Sequence, residues 1–175
     1  MPAKRYVAID STGGLTEVAA TVASAGAGSD GNLLALDSSG RIDASALPIG
    51  VGLDAVSCLA SEALAAGALV NIWLNTGVAS VRNADASAGV GKMAHGFVAT
   101  ATSSGQMATI FLDSGAVISG LSGLSAGVTY LLSASTPGTL TAIAPATAGQ
   151  ISQQIGVALS ATSLKFEPKA PITRA

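Results

Sequence analysis

Short apolar runs separated by glycine- or proline-bearing turns dominate the chain after residue 50. Residues 68–74 are rich in strand formers, end at Asn75-Thr76-Gly77, which is typical of a hairpin turn, and are followed by a return strand at 78–82. The same pattern predicts further strands at 93–100, 106–113, 128–133, 139–143, 153–160 and 164–167. Strands at this spacing predict a mainly β protein built from small antiparallel units, as a barrel or a sandwich. A helix is predicted only at 56–66.

The β region repeats itself at an offset of sixty residues. The repeated positions are Ala66-Gly67 with Ala126-Gly127, then Ala84, Ala86, Ala88 and Gly89 with Ala144, Ala146, Ala148 and Gly149, and finally Gly96-Phe97-Val98-Ala99 with Gly156-Val157-Ala158-Leu159. We therefore predict a first β repeat unit at 51–113 and a second at 114–175. A lone core is marginal at this size, so the two units are expected to share a core or to pack on partner subunits.

The first fifty residues predict an extended N-terminal arm. Two strand-turn segments, 6–15 and 33–42, each combine an apolar strand, an Asp-Ser turn with glycine and a hydrophobic exit residue. A small-residue linker at 19–31 separates them, and Leu47-Pro48-Ile49-Gly50 marks the predicted boundary. So thin an arm cannot bury its own apolar side chains. We expect the arm to lie on another protein surface and to contact it through the following apolar residues: Tyr6, Val7, Ile9, Leu33, Leu34, Leu36, Ile42 and Leu47.

From the composition, we expect other subunits to cover much of the surface. Charged residues make up 10% of the chain, against roughly 25% in a typical globular domain, while hydrophobic residues reach 49%. The net charge of −2 and the lack of a basic stripe argue against nucleic-acid binding. No apolar run is long enough for a membrane-spanning helix, and none near the N-terminus suits a secretory signal.

The residues offer no cluster that points to catalysis, a metal or a cofactor. Residues 26–31 match GxGxxG, but a strand-turn segment follows them where a dinucleotide site needs a helix. His95 and Cys58 are the only histidine and cysteine, and Cys58 is interpreted as a small buried hydrophobe. If the chain were a glycan hydrolase, Asp85 and Asp113 would be the least implausible carboxylate pair. We predict that the protein is not an enzyme and has no cofactor or metal site.

Trp73 is the single tryptophan and lies in the middle of a predicted strand. We interpret it as the main core or interface anchor of the first repeat unit. A carbohydrate-stacking platform is the functional alternative, although such platforms usually present several aromatic rings.

Two stretches resemble a known group of proteins. Residues 37–48, DSSGRIDASALP, resemble N-terminal stretches of tailed-bacteriophage virion proteins, both head-fibre or capsid decoration (cement) proteins and tail fibres. The stretch 123–133, GLSAGVTYLLS, together with PGTLT at 137–141 and GVALS at 156–160, is similar to the C-terminal β module of the same groups.

The resemblance implies a β-rich homotrimer on the exterior of a phage head, made in the host bacterial cytoplasm. It would bind the major capsid protein, stabilise or decorate the shell, and have no catalytic residues. The chain has no heptad shaft and no long repetitive stalk, which favours decoration over a tail fibre. The alternative is a tail-fibre or tail-associated β module that binds host-surface glycan, for which exposed aromatic, Asn and Asp residues should gather on loops at one end.

Overall fold

The computed structural model of the chain describes residues 5–38, 40–43, 46–47 and 54–175, and it confirms a mainly β protein. The chain divides into two compact units, Met1–Gly52 and Leu53–Ala175. Two 3-10 helices lie at Gly26–Ser29 and Ala86–Lys92. The strands are β1 Arg5–Ile9, β2 Leu15–Ala19, β3 Ala55–Ala60, β4 Leu69–Asn75, β5 Val78–Asn83, β6 Gly96–Val98, β7 Met107–Phe111, β8 Val117–Ser119, β9 Thr129–Leu132, β10 Leu140–Thr141, β11 Ile151–Ser152, β12 Gln154–Ala158, β13 Ser163–Phe166 and β14 Ile172–Thr173.

The N-terminal unit contains an antiparallel hairpin of β1 and β2, in which Ile9 lies opposite Leu15. The strand predicted at 33–36 is wrong: a single parallel bridge joins Leu34 to Thr21, and within the described residues no strand pairing extends it. Within the predicted boundary at 47–50, residues 48–50 lie outside the described part of the chain.

The two predicted Asp-Ser turns of the N-terminal unit are confirmed and are built alike. In the first, the Asp10 amide donates to the Gly14 carbonyl at 2.8 Å and the Gly13 amide donates to the Asp10 carbonyl at 3.1 Å. In the second, the Asp37 amide donates to the Arg41 carbonyl at 2.8 Å and the Gly40 amide donates to the Asp37 carbonyl at 3.1 Å. Gly13 and Gly40 have positive φ angles of +85° and +74°, which glycine adopts without strain.

The first half of the larger unit is a closed five-stranded barrel with the strand order β3-β5-β4-β6-β7. All its pairs are antiparallel except β3 with β5, where Leu59 and Ala60 lie beside Ser80 and Val81 in parallel. The predicted helix at 56–66 is wrong, because this segment begins with strand β3. Cys58 and Ala60 both point into the barrel at a period of two, and their small side chains suit its narrow interior.

The second half repeats this arrangement as an open sheet, with the order β10-β9-β12-β13-β8. Shifted by about one repeat, these strands correspond to β5, β4, β6, β7 and β3. Equivalent bonds support the match: the Gly67 amide donates to the Val98 carbonyl at 2.8 Å, and the Gly127 amide donates to the Ala158 carbonyl at 2.8 Å. The sheet is open because β8 ends at Ser119 and does not pair with β10.

One hydrophobic core extends across both halves of the larger unit. Phe97 of the first half stacks on Phe111 and meets the ring edge of Phe166 from the second half, with ring centroids 5.3 Å apart in each pair. The core also contains Leu69, Ala84 and Ala86 together with Ile118, Tyr130, Leu132, Ile151, Ile155 and Leu164. The repeated alanines have diverged in role, because Ala84 and Ala86 are buried whereas Ala144, Ala146 and Ala148 are exposed.

Candidate functional site

The hairpin of the N-terminal unit presents an apolar face to solvent. Side chains alternate between the two faces of a strand, so Val7 and Ile9 of β1 share a face with Leu15 of β2. Their exposed fractions are 66%, 74% and 78%. Tyr6 points to the opposite face and is half-buried, as is its cross-strand partner Val18. The predicted contact residue Tyr6 is therefore separated from Val7 and Ile9 by the pleat of the strand.

The other predicted contact residues of the N-terminal unit are also exposed. They are Leu33, Leu34, Leu36, Ile42 and Leu47. Soluble monomers rarely leave so many large apolar side chains uncovered in so short a stretch, and such surfaces mark interaction sites. Sequence reasoning missed Leu15 and Val22 as members of this exposed set. The one available signal was the Asp10 turn, which places Leu15 opposite Ile9.

Polar contacts hold the hairpin in register at both ends. At the turn, Asp10 Oδ1 accepts bonds from the Thr12 hydroxyl at 2.7 Å and from the amides of Thr12 and Gly14 at 2.9 Å each. These bonds, led by the Thr12 hydroxyl, lower the pKa of Asp10. At the open end, Arg5 and Glu17 form an exposed ion pair of 3.3 Å. These contacts therefore fix the strand register that places Val7, Ile9 and Leu15 on one face.

Trp73 lies on the outside of the barrel and is half-buried. It belongs to neither hydrophobic cluster of the larger unit. The Arg82 guanidinium lies 4.2 Å from the centroid of its ring, which is a cation–π contact, and its Nε1 donates to the Ser61 hydroxyl at 3.3 Å. The indole is thus fixed by polar neighbours at the barrel wall.

Arg82 joins Trp73 to the segment that follows β5. Its Nε donates to Asn71 Oδ1 at 3.0 Å, and its Nη2 donates to the Gly91 carbonyl at 2.8 Å. The buried Asn71 in turn donates to the Met93 carbonyl at 2.8 Å. Sequence reasoning did not single out Arg82, because nothing in a strand of mixed polarity shows which neighbours a long cation reaches.

The side chains considered for catalysis serve structural contacts. His95 Nδ1 accepts a bond from the Ile72 amide at 3.0 Å, and burial lowers the pKa of this histidine. Cys58 lies in the barrel interior, where burial raises the pKa of its thiol. Asp85 caps the 3-10 helix at Ala86–Lys92 by accepting bonds from the Ser87 amide and hydroxyl. These contacts fix the chain locally.

Two grooves indent the larger unit. One, of about 330 Å³, lies beside Ser133, Thr141, Ile143 and Gln150, and the other, of about 320 Å³, lies between Leu121, Leu124 and Leu140. No titratable side chain lines either groove. Within the described residues, no three His, Cys, Asp or Glu side chains are placed to hold a metal ion together.

No protein-family model, curated protein or solved structure matches the chain. Among the helices of the described ranges, none has the length and apolar character needed to cross a membrane.

Proposed function

We propose that this chain is a structural virion protein that binds the outside of a bacteriophage capsid as a homotrimer and stabilises or decorates the shell. The observation that carries the proposal is the apolar surface of the N-terminal unit, where Val7, Ile9, Leu15 and Leu33 are each more than half exposed. The resemblance of residues 37–48 to phage virion proteins supports the choice of the major capsid protein as partner.

The size of the exposed surface suits multivalent binding to a shell. Burying one exposed Val, Leu or Ile side chain contributes about 1.5–3 kcal/mol, whereas association costs roughly 4–15 kcal/mol in lost freedom. One or two such side chains do not offset that cost, so several must be buried together, and a trimer presents the set three times. Protein bound only to the assembled shell shifts the equilibrium toward that shell by mass action.

The second candidate is a tail-associated β module that binds host-surface glycan, and Trp73 is its best platform. Sugar stacking needs a free ring face, and glycan recognition gains from a free indole N–H. One face of this ring is covered by Arg82, and the N–H already donates to Ser61. These contacts count against Trp73 as a glycan platform.

The proposal is tested by light scattering on the purified protein, alone and after mixing with capsids that lack it. We expect a trimer that joins capsids at a fixed copy number and raises the temperature at which they rupture. The variant Leu33→Asp should lose capsid binding, and Leu159→Asp, which charges a comparably exposed leucine in the larger unit, should keep it. A monomer, or an oligomer that ignores capsids, would refute the proposal and direct the search to glycans.

A further inference from the structure

The barrel is closed by a pairing between β3 and β5 that the open sheet of the second half does not have. In the barrel, the Val81 carbonyl of β5 accepts a bond from the Ser61 amide at 2.9 Å, just past the end of the parallel strand β3. Val81 pairs with Ile72 of β4, and Leu140 of β10 pairs with Leu132 of β9, which is the repeat equivalent of Ile72. Leu140 therefore holds the place of Val81 in the second half. The second copy of β3, strand β8, stops at Ser119, and no strand of the described residues pairs with β10 beside Leu140, although Gly138 just before β10 bonds to Leu69 and Ala84 of the first half.

The backbone of Leu140 is turned toward this open edge. The Ser133 amide donates to Thr139 on the β10 side, whereas the Leu132 amide donates to Gln153 on the β12 side. Since residues alternate along an antiparallel pair, Leu140, opposite Leu132, directs its N–H and C=O away from β9. No group in the described residues forms a hydrogen bond with either of them.

A groove of about 320 Å³ runs along this edge. Its walls are Leu121 and Leu124 on the side of β8, Leu140 on the side of β10, and the small residues Ala66 and Gly67 of the barrel. Unpaired strand edges bind extended peptides by adding a strand, and pockets for alternate side chains select the sequence. The small walls leave room for a strand with a small central residue, as Ala60 is in β3.

The N-terminal hairpin offers a second open edge with matching hydrogen-bonding groups. Asp10 and Gly14 form a bonded pair, so the pair of Ile9 and Leu15 is a non-bonded one, as is the pair of Val7 and Glu17. The backbone groups of Val7 and Ile9 therefore point outward from β1, where no third strand lies in the described residues. Two-stranded hairpins gain stability when a further strand is added.

We infer that β1 of one copy of this chain pairs in parallel with β10 of a second copy and occupies the position beside β10 that the end of β3 fills beside β5 in the barrel. Ala8 lies opposite Leu140 in this register. The Leu140 amide donates to the Val7 carbonyl, and the Ile9 amide donates to the Leu140 carbonyl. Each free group of Leu140 thereby gains a partner of opposite polarity, and Val-Ala-Ile presents the same small central residue as Leu59-Ala60-Ser61.

This contact joins two different surfaces, so each copy contributes its β1 to one neighbour and binds the β1 of another neighbour at its own β10. Head-to-tail contacts of this kind close into rings when the rotation permits. The inference goes beyond the proposed function, because it assigns the contact between copies and holds with or without a capsid.

Proline substitution separates the two edges of the hairpin. Ile9→Pro removes the amide that the inference assigns to Leu140, and Leu15→Pro removes the amide of the cross-strand partner, which points to the opposite edge. Both residues are exposed and neither amide is used within the hairpin. By light scattering, we expect Ile9→Pro to raise the concentration needed for assembly by about tenfold or more, and Leu15→Pro to change it little. Equal loss in both variants, or no loss in either, would overturn the inference.

Disulfide trapping tests the register between chains. With Cys58 replaced by serine, a Val7→Cys chain is mixed with a separate Thr139→Cys chain and oxidised. We expect a covalent heterodimer, because Val7 and Thr139 lie opposite each other in the inferred pairing. A Thr109→Cys chain, which carries an exposed cysteine on β7, is the control partner for Val7→Cys. Equal trapping with both partners, or none with either, contradicts the pairing. Because neither experiment uses a capsid, failure here leaves capsid binding to its own test.

Discussion

Gln153 and Ala94, which lie 59 positions apart, are joined by two hydrogen bonds in the interior of the larger unit. Gln153 Oε1 accepts from the Ala94 amide at 2.8 Å, and Gln153 Nε2 donates to the Ala94 carbonyl at 2.9 Å. One side chain of the second half thus satisfies both backbone groups of a residue in the first half, at a position where neither reaches water.

Gln153→Ala should therefore destabilise the fold strongly. The substitution leaves a buried amide and a buried carbonyl without partners, each at a cost of about 1–3 kcal/mol. The free energy of unfolding, measured by urea titration, should fall by at least one such increment. Gln106→Ala is the matched control, because the Gln106 side chain is exposed. A Gln153→Ala protein as stable as the Gln106→Ala protein would contradict the structural role of this pair.

Gly156→Ala should lower the melting temperature, and Gly96→Ala should do the same. A Cβ at Gly156 would overlap the Lys165 carbonyl oxygen, and a Cβ at Gly96 would lie 2.5 Å from that of Phe111. Such overpacking typically costs about 1–3 kcal/mol. Gly91→Ala is the control, since open space surrounds that position. Calorimetry should separate the first two variants from the third, and three equal melting temperatures would refute the close approach.

Stability should decrease as the pH falls from 8 to 5.5. Burial lowers the pKa of His95 in the folded chain below the unfolded value of about 6.5, so the unfolded chain binds the extra proton first. The contribution of the neutral ring is present above the unfolded pKa and is lost as the pH falls toward the folded pKa. His95 is the only histidine, so His95→Asn should flatten the profile measured by urea unfolding. An unchanged slope would show that other groups titrate.

Arg82→Ala should both destabilise the barrel and move the fluorescence of its single tryptophan. Removal of the guanidinium uncovers the Trp73 ring and leaves the buried Asn71 Oδ1 without its donor, a loss of about 1–3 kcal/mol. We expect emission at longer wavelength, because water reaches the ring. Arg82→Lys keeps the positive charge but not the planar fork, and its unfolding free energy should lie between those of the other two proteins. Unchanged emission in Arg82→Ala would contradict the stacking.

Much of the fold was predictable from local pattern. The offset of sixty residues identified Gly67 with Gly127 and Gly96 with Gly156, and these pairs hold equivalent places in the barrel and the sheet. The Asp10 and Asp37 turns followed from their residue types. The failed helix at 56–66 shows the limit, since alanine favours helix in isolation but β3 is decided by the interior it lines.

The exposed apolar surface of the N-terminal unit was predictable in outline. The expectation that so short a segment leaves Val7, Ile9 and Leu33 uncovered followed from the number of residues alone, and all three are exposed. Leu15 joins the same face only through the pairing register of the hairpin. Arg82 on β5 reaches Trp73 on the neighbouring strand β4, a contact that the sequence analysis did not predict.

The sequence by itself determined the duplication, the turns and most strands of the larger unit, but not β3 or β8, because the former depend on alternation, turn chemistry and repetition along the chain. Only the tertiary structure decided that one copy of the repeat closes into a barrel while the other stays open beside Leu140. Closure depends on how far β3 and β8 extend before the chain turns away, and on which distant strand then lies within hydrogen-bonding reach. Long-range pairing of this kind leaves no periodic signal in the residues that form it.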